Sequence, residues 1–381
     1  MNVTGLIKCA NCGACFNACP TGAISVKDGS LFYEVVVDND KCVDCGLCVD
    51  ICPVENNIGC NKPIAAYGGW HKDQNVVLKS SSGGAMNAIA TTILEKGGVV
   101  FGATFANDNK SVLISNTDLV SLSSLQKSKY VESIVGSSFV EARCELDAGR
   151  MVLFCGTPCQ IAGLQSFLDK EYDNLITCDF ACGGVPSHEL FRSHIDYLEQ
   201  KYASRALSVD FRPKTYGWKR YSLQIKFENG KVYNRLAPED PYLCSFLYGK
   251  RSVRPYCLEC KFSDNHLSDL TLADFWLHKE QSNLENSDGI SLVLANTSKG
   301  EAVIKLIEKT FVCESLDINK STYNNKPTVL EISKKKSYDE FIQSCKEIGL
   351  NKTVRKFYKM PIKTKIKLWL SRLVHNRSGR G

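Results

Sequence analysis

Over the first 60 residues the apolar positions come in short bursts, and only two stretches alternate well enough to read as strands. These are 23–26 and 33–37, joined by the polar turn 27–30. Residues 56–63, rich in asparagine, glycine and proline, read as a linker. From residue 65 the texture changes. Apolar residues at helical spacing run over 85–96 and stop at Gly97-Gly98. A buried strand is expected at 99–105, and another at 151–154 leads into a helix ending at 168. A third strand at 175–180 is followed by a helix over 181–200. Strands alternating with helices point to an α/β core. Further strands at 222–227, 268–276 and 289–295 make its sheet mixed, and a helix is expected at 301–309. Near the end, Ile362, Ile366, Trp369, Leu370 and Leu373 fall on one face of a helix whose other side carries lysines.

The cysteines change this picture most. Cys9-x2-Cys12-x2-Cys15-x3-Cys19-Pro20 is repeated as Cys42-x2-Cys45-x2-Cys48-x3-Cys52-Pro53. Three thiolates three residues apart wrap one cluster from a single loop, and the fourth reaches the other cluster. Cys9, Cys12, Cys15 and Cys52 are therefore assigned to one [4Fe–4S] cluster, and Cys19, Cys42, Cys45 and Cys48 to the second. Zinc is the alternative, but four-ligand zinc sites have no use for a third cysteine at the same step. This part reads as a bacterial-type two-cluster ferredoxin fold.

Length adds room for two or three domains, with 381 residues in all. The 44% hydrophobic and 23% charged content is that of an ordinary globular protein. Nineteen cysteines with no apolar leader ahead of Cys9 point to reduced thiolates, hence to a reducing cytoplasm and an anaerobic setting. No apolar run approaches the ~18–20 residues of a membrane span. The net charge of +6 is uneven: residues 331–381 hold 14 Lys and Arg against 4 Asp and Glu, leaving 1–330 at −4. A basic amphipathic tail with a tryptophan at its boundary suits the inner face of an anionic membrane, but a helix docked on the protein body with a solvated basic side is the favoured reading. No recognition module for nucleic acid accompanies it, and no nucleic-acid partner is expected.

Beyond the ferredoxin part, Gly156-Thr157-Pro158-Cys159-Gln160 sets Cys159 in the first turn of a well-capped helix. Cys182 sits at another strand-to-helix turn, and Cys257-x2-Cys260 in a loop. These four can converge on a third [4Fe–4S] cluster, with Cys155 and Cys178 as competitors. Cys60, Cys144, Cys244, Cys313 and Cys345 read as plain small apolar residues. Ser80-Ser81-Ser82-Gly83-Gly84 ahead of a helix can receive a phosphate or pyrophosphate, or simply cap the helix. Lys127, Lys129 and Tyr130 can neutralise phosphate or contact a ring, or form a solvated face, and Lys250, Arg251 and Arg254 can meet an acidic ligand, flavin phosphates or solvent. The six histidines are scattered and read as structural.

The order of Lys79-Ser80-Ser81-Ser82-Gly83-Gly84, Ser128-Lys129-Tyr130-Val131-Glu132-Ser133, the Gly156–Leu164 run, Cys182-Gly183-Gly184-Val185-Pro186-Ser187, Cys257-x2-Cys260-Lys261-Phe262 and Ser268–Trp276 resembles the coenzyme F420 hydrogenase/dehydrogenase beta-subunit family. The resemblance implies an FAD-binding mixed α/β domain fused behind the ferredoxin domain. It gives a beta-subunit N-terminal-like region at 64–145 and a C-terminal-like region at 146–310, between the ferredoxin domain at 1–60 and the basic helical tail at 311–381 that cysteine spacing and charge mark out. It also implies a third cluster held by Cys159, Cys182, Cys257 and Cys260, and FAD contacts at Ser81, Ser82, Gly83, Gly84, Lys129 and Thr157. Relatives commonly carry His after the cysteine where this chain has Gly183.

The function implied is an iron–sulfur flavoprotein oxidoreductase passing electrons between clusters, FAD and coenzyme F420, with a redox protein or ferredoxin as partner. Two alternatives stand beside it: an electron-transfer subunit with no substrate site, and a ferredoxin-dependent reductase of another organic substrate, such as one in polysaccharide synthesis. The catalytic residues stay unassigned.

Overall fold

The computed structural model describes residue 3, residues 8–248, 250–276, 278–319 and 332–359, and residue 366, with side chains in the last stretch from 337. The expected tail helix over 362–373 lies outside the described residues except for residue 366. The chain divides into two compact units, one of residues 1–192 and 253–329, the other of residues 193–252 and 330–381.

The first unit begins with α1 (Ala14–Ala18), β1 (Ile24–Asp28), β2 (Tyr33–Val37) and α2 (Leu47–Asp50). β1 and β2 pair antiparallel, Ile24 opposite Val37, around the turn that the polar run 27–30 predicts. Then come β3 (Ala65–His71), α3 (Gln74–Leu78), α4 (Ala85–Glu95), β4 (Val99–Phe105), β5 (Val112–Thr117) and β6 (Ser133–Ile134). α5 (Ser138–Asp147), β7 (Val152–Cys155), α6 (Pro158–Leu168), β8 (Leu175–Phe180) and α7 (His188–Tyr202) follow. The helix expected from 181 starts only at 188. Gly184 takes φ 105°, Pro186 cannot donate, and the Ser187 hydroxyl accepts the Leu190 N–H at 3.1 Å to cap the true start.

The second unit holds β9 (Ala206–Asp210), β10 (Ser222–Phe227), β11 (Val232–Leu236) and α8 (Pro241–Leu247). Its three strands form an antiparallel sheet in the order β11-β10-β9. The chain returns to the first unit for β12 (Leu270–Asp274), α9 (His278–Gln281), β13 (Ser291–Ala295), α10 (Ser298–Ile307) and β14 (Phe311–Leu316). It ends in the second with α11 (Ile332–Ile348) and α12 (Leu350–Phe357). There Phe341 and Phe357 meet edge to face at 5.5 Å, while Tyr202 stacks on Phe227 at 4.6 Å.

Among the described residues, nine strands form one sheet in the order β14-β3-β13-β12-β8-β7-β4-β5-β6. β12, β8, β7 and β4 run parallel, and β3 shares their direction because antiparallel β13 stands between it and β12. Alternation along the strands splits the core in two. Val99 and Phe101 of β4, with Val152 and Phe154 of β7, pack on Phe139 of α5 and on Ile161 and Leu164 of α6. Val100 and Leu153 face Ile89 and Ile93 of α4 and Ile304 and Ile307 of α10. Ala10, Val54 and Ile58 join the first of these clusters, so the ferredoxin part sits on the α5–α6 face. No described helix is long and apolar enough to cross a membrane.

Candidate redox centres

The two cysteine loops fold alike. Asn11 and Asp44, each two residues after its leading cysteine, are left-handed at φ 54° and 51°. Gly13 and Gly46, which open α1 and α2, are left-handed at φ 89° and 80°. Alternating hands turn successive N–H groups into one concavity, the backbone arrangement found around iron–sulfur clusters. The Asn11 N–H donates to the Cys9 sulfur at 3.3 Å.

Cys52 stands with the first three cysteines and Cys19 with the second three. Burial pushes the Cys12 thiol well above its ordinary value, and Cys15, Cys9 and Cys52 push it further. Cys15 is pushed up to about 12 by burial, then by Cys9, Cys52 and Cys48. Cys19, Cys42, Cys45 and Cys48 line one pocket together with Ile24, Val37, Val43 and Leu47.

A third gathering is built from three separate elements. Cys159 lies in the first turn of α6, Cys182 in the loop after β8, and Cys257 and Cys260 in and just after the 3-10 turn Pro255–Glu259. Burial raises the Cys159 thiol well above its ordinary value, and Cys260, Cys182 and Cys12 raise it further. Burial does the same to Cys257, reinforced by Cys182, Cys159 and Cys260. Val185 N–H donates to the Cys257 sulfur at 3.4 Å, and the Thr157 hydroxyl lies 3.1 Å from the Cys159 sulfur. The competitors go elsewhere: Cys155 and Cys178 are register partners on β7 and β8, hydrogen-bonded to each other, in the core on the α4–α10 face. Of the cysteines read as small apolar residues, Cys244 and Cys345 are buried, whereas Cys60 and Cys144 are exposed.

Thiols that raise one another in this way ionise only beside a cationic centre, which iron supplies. The first and third sets therefore fit iron–sulfur clusters in donor type and grouping, and the second set fits through its four cysteines lining one pocket. Among the described residues, no group of three or more His, Cys, Asp and Glu side chains is disposed to hold a metal ion as it stands.

The first loop and the third gathering are neighbours. Gly163 follows Cys159 by one turn on the same face of α6. A Cβ there would meet the Cys12 carbonyl oxygen at 2.9 Å and its sulfur at 3.1 Å. Only glycine lets the loop come this close.

The serine–glycine turn lies at the edge where β3 ends. His71 N–H donates to the Gly83 carbonyl at 2.7 Å, Gly83 N–H to Ser291 Oγ at 3.0 Å, and Ser82 Oγ to the Ile290 carbonyl at 2.7 Å. Ser81 Oγ accepts the Ser128 N–H at 2.8 Å, which brings the 126–130 loop alongside. These serine hydroxyls thus tie the turn to the protein, and Gly84 opens α4 at φ 89° without a side-chain cap. Lys129 Nζ donates to the carbonyls of Gln126 and Lys127 at 2.8 and 3.2 Å, folded onto its own loop. Thr157 ends the turn after β7 and forms a capping box with Gln160. All these groups stand outside the carboxyl ends of parallel strands, the usual place for a ligand on an open α/β sheet.

Sequence reading missed the buried charges. Glu132, 3% exposed in its side chain, takes Asn11 Nδ2 (3.1 Å) and Arg254 Nε (2.8 Å) on one oxygen. The other oxygen accepts Tyr33 N–H (3.0 Å) and faces His188 Nδ1 (3.1 Å). Arg254, open in sequence to an acidic ligand, flavin phosphates or solvent, has its fork buried, donating to Glu132 and to the carbonyls of Cys9 and Tyr33. Lys250 lies over the Phe246 ring at 4.4 Å and Arg251 over Phe357 at 5.9 Å. His266 pairs with Asp179 at 2.7 Å, and His194 with Asp240 at 2.9 Å. The ion-paired partners are 46 to 122 residues apart in sequence, and Arg254 reaches carbonyls 221 and 245 residues away, beyond any local pattern.

With three cysteine sets and a doubly covered sheet, the chain is an iron–sulfur protein with a two-cluster ferredoxin domain joined to a mixed α/β part. Residues 8–56 match the family model described as 4Fe-4S dicluster domain. Residues 149–321 match the model for the C terminus of the beta subunit of coenzyme F420 hydrogenase/dehydrogenase, so the chain carries that family's C-terminal domain as its motif order led one to expect. Among solved structures it is similar to a chain of the F420-reducing [NiFe] hydrogenase complex from Methanosarcina barkeri, studied by xenon derivatization. The identity is 15%, over 77% of this chain and 95% of that one, with a TM-score of 0.48. No curated protein matches.

Proposed function

We propose that the chain is an oxidoreductase that carries electrons from a redox partner protein through two ferredoxin clusters and a third cluster to FAD, and from there to a two-electron substrate, with coenzyme F420 first among candidates. Its cluster ligands are Cys9, Cys12, Cys15 and Cys52; Cys19, Cys42, Cys45 and Cys48; and Cys159, Cys182, Cys257 and Cys260. The observation that carries the reading is the third gathering and its nearness to Cys12, with Gly163 as the contact point. A pure ferredoxin has no need of a further cysteine set beside its first loop. Bound FAD supplies the exchange between one-electron and two-electron steps. The chain's own contribution is to seat the loops, to hold Cys159 and Cys257 half-buried, and to offer the turn at 81–84, Lys129 and Thr157 along one sheet edge.

A second reading is a relay with no substrate site of its own. It is favoured by the serine hydroxyls of the 81–84 turn, which are bonded to Ile290 and Ser128. Anaerobic purification with iron, sulfide and flavin quantified, followed by oxidation of reduced F420, separates the two. Bound flavin with F420 turnover is the expected result, and a chain devoid of flavin leaves only the relay. Cys159→Ala is expected to lower iron by about four atoms per chain, one cluster's worth, with the ferredoxin EPR signals retained. Unchanged iron overturns the third ligand set.

A further inference from the structure

Arg254 touches both sides of the junction between the first ferredoxin loop and the third cysteine set. Its Nη1 donates to the carbonyl of Cys9 at 3.3 Å, and its Nη2 to that of Tyr33. Its own carbonyl accepts the Cys257 N–H at 2.9 Å, and its N–H donates to Val185, whose N–H in turn donates to the Cys257 sulfur. Glu132 holds the guanidinium and grips the same loop independently through Asn11 and the Tyr33 N–H, while its own N–H donates to the carbonyl of Pro186 at 2.9 Å. Each residue of the pair therefore binds the ferredoxin part with its side chain and the α/β part with its backbone. Side-chain exposure is 9% for Arg254 and 3% for Glu132.

A buried ion pair is a poor source of stability, because desolvation offsets its attraction; its better-attested role is to fix one geometry among several. A planar fork with donors to three oxygens at once is suited to that, and a lysine is not. Apolar contact alone, such as Cys12 on Gly163, leaves a loop free to slide; directional bonds on the Cys9 side of the same loop do not.

We propose that the Arg254–Glu132 pair is the seat that holds the first ferredoxin loop against the third cysteine set and so fixes the gap between those two centres. Arg254 is a positioning residue, and the proposal rests on the reading of a third cluster given above. With clusters held by the two cysteine sets, passage across the gap would move one electron, oxidising one centre and reducing the other by one unit, with no bond made or broken. The electron is supplied by an external one-electron redox protein.

The test uses the full-length protein, purified without oxygen, with Arg254→Gln and Arg254→Lys beside the unaltered chain. Iron and sulfide are quantified, EPR of the dithionite-reduced protein reads the magnetic interaction between neighbouring clusters, and amide hydrogen exchange follows the peptide containing Tyr33. Arg254→Gln is expected to keep its iron, lose the interaction signature between the first and third centres, and exchange faster at Tyr33. Arg254→Lys, with charge kept and fork lost, is expected to fall between. Flavin reduction through the ferredoxin part should be slower in Arg254→Gln than in the unaltered chain. Unaltered interaction and exchange in Arg254→Gln overturn the proposal. If that variant fails to fold, unaltered interaction and exchange in Arg254→Lys overturn it instead. An unaltered chain with iron for two clusters only overturns the third centre, whereas three clusters with an insensitive Arg254 overturn the seat alone.

Discussion

The hydroxyl of Thr157 accepts the Gln160 N–H to start α6 and lies 3.1 Å from the Cys159 sulfur, so one small substitution touches helix and thiol together. Thr157→Ala is expected to cost about 1 kcal/mol by chemical denaturation, the usual worth of a lost N-cap, and Thr157→Ser to recover most of it. A Thr157→Ala protein as stable as its parent refutes the cap. Glu132 is the other residue with a measurable signature. Burial alone would raise its carboxyl, yet the His188 hydrogen bond, Arg254 and the Tyr33 amide hold it below the usual carboxylate range. The sign follows: a carboxyl depressed in the folded state adds stability above its unfolded value, about 4.3, and loses it as pH falls through the folded one. Glu132→Gln, which leaves Arg254 buried without its counter-charge, is expected to destabilise by roughly 3–5 kcal/mol at neutral pH. Denaturation curves across pH should show that deficit flat above about pH 5 and shrinking below the carboxylate range. A deficit that grows in acid contradicts the assignment.

α6 shows at the element scale what a sequence does and does not disclose. Thr157, Pro158 and Gln160 announce its start, and its apolar positions announce its length, because capping and periodicity are local. Gly163 looks like a mild helix weakness until Cys12, some 150 residues earlier, is found where its side chain would be. β3 was harder to read for the same reason. Gly68 and Gly69 interrupt its pattern, but a Cβ on Gly69 would meet the Val312 carbonyl of β14 at 1.7 Å, so the strand needs the residue that hides it. The ferredoxin cysteines were legible because all eight lie within 44 residues at fixed steps. The third set could be named only with competitors, since its members come from three elements that the sheet brings together. Gly163→Val is expected to destabilise the first unit by about 1–3 kcal/mol through overpacking against Cys12, with Gly163→Ala costing less. Thermal unfolding of Gly163→Ala and Gly163→Val beside the parent reads the graded cost of added volume. A Gly163→Val protein as stable as its parent speaks against a close approach at α6.

At the scale of the whole molecule, the cysteine sets all belong to the first unit, which also holds the nine-stranded sheet. The second unit has its own antiparallel sheet and a core of Phe211, Leu223, Ile225 and Tyr242. Iron removal by chelator and oxidant is therefore expected to act unevenly. Metal affinity is folding free energy for the segments that supply the ligands. Hydrogen exchange should rise across 8–56 and 255–262 and stay near its starting level in β9, β10 and β11. Uniform loss of protection over both units goes against cluster sites confined to the first.

The spacing of Cys159 and Gly163 has a consequence for how the chain tolerates change in length. Four residues of α-helix advance about 6 Å and return to nearly the same azimuth. One residue gained or lost between them leaves every side chain type intact but swings the Cys12 contact through about 100°. The loops at 106–111 and 228–231 absorb insertions at their exposed tips, whereas these four helical steps behave as a gauge block, fixed in number.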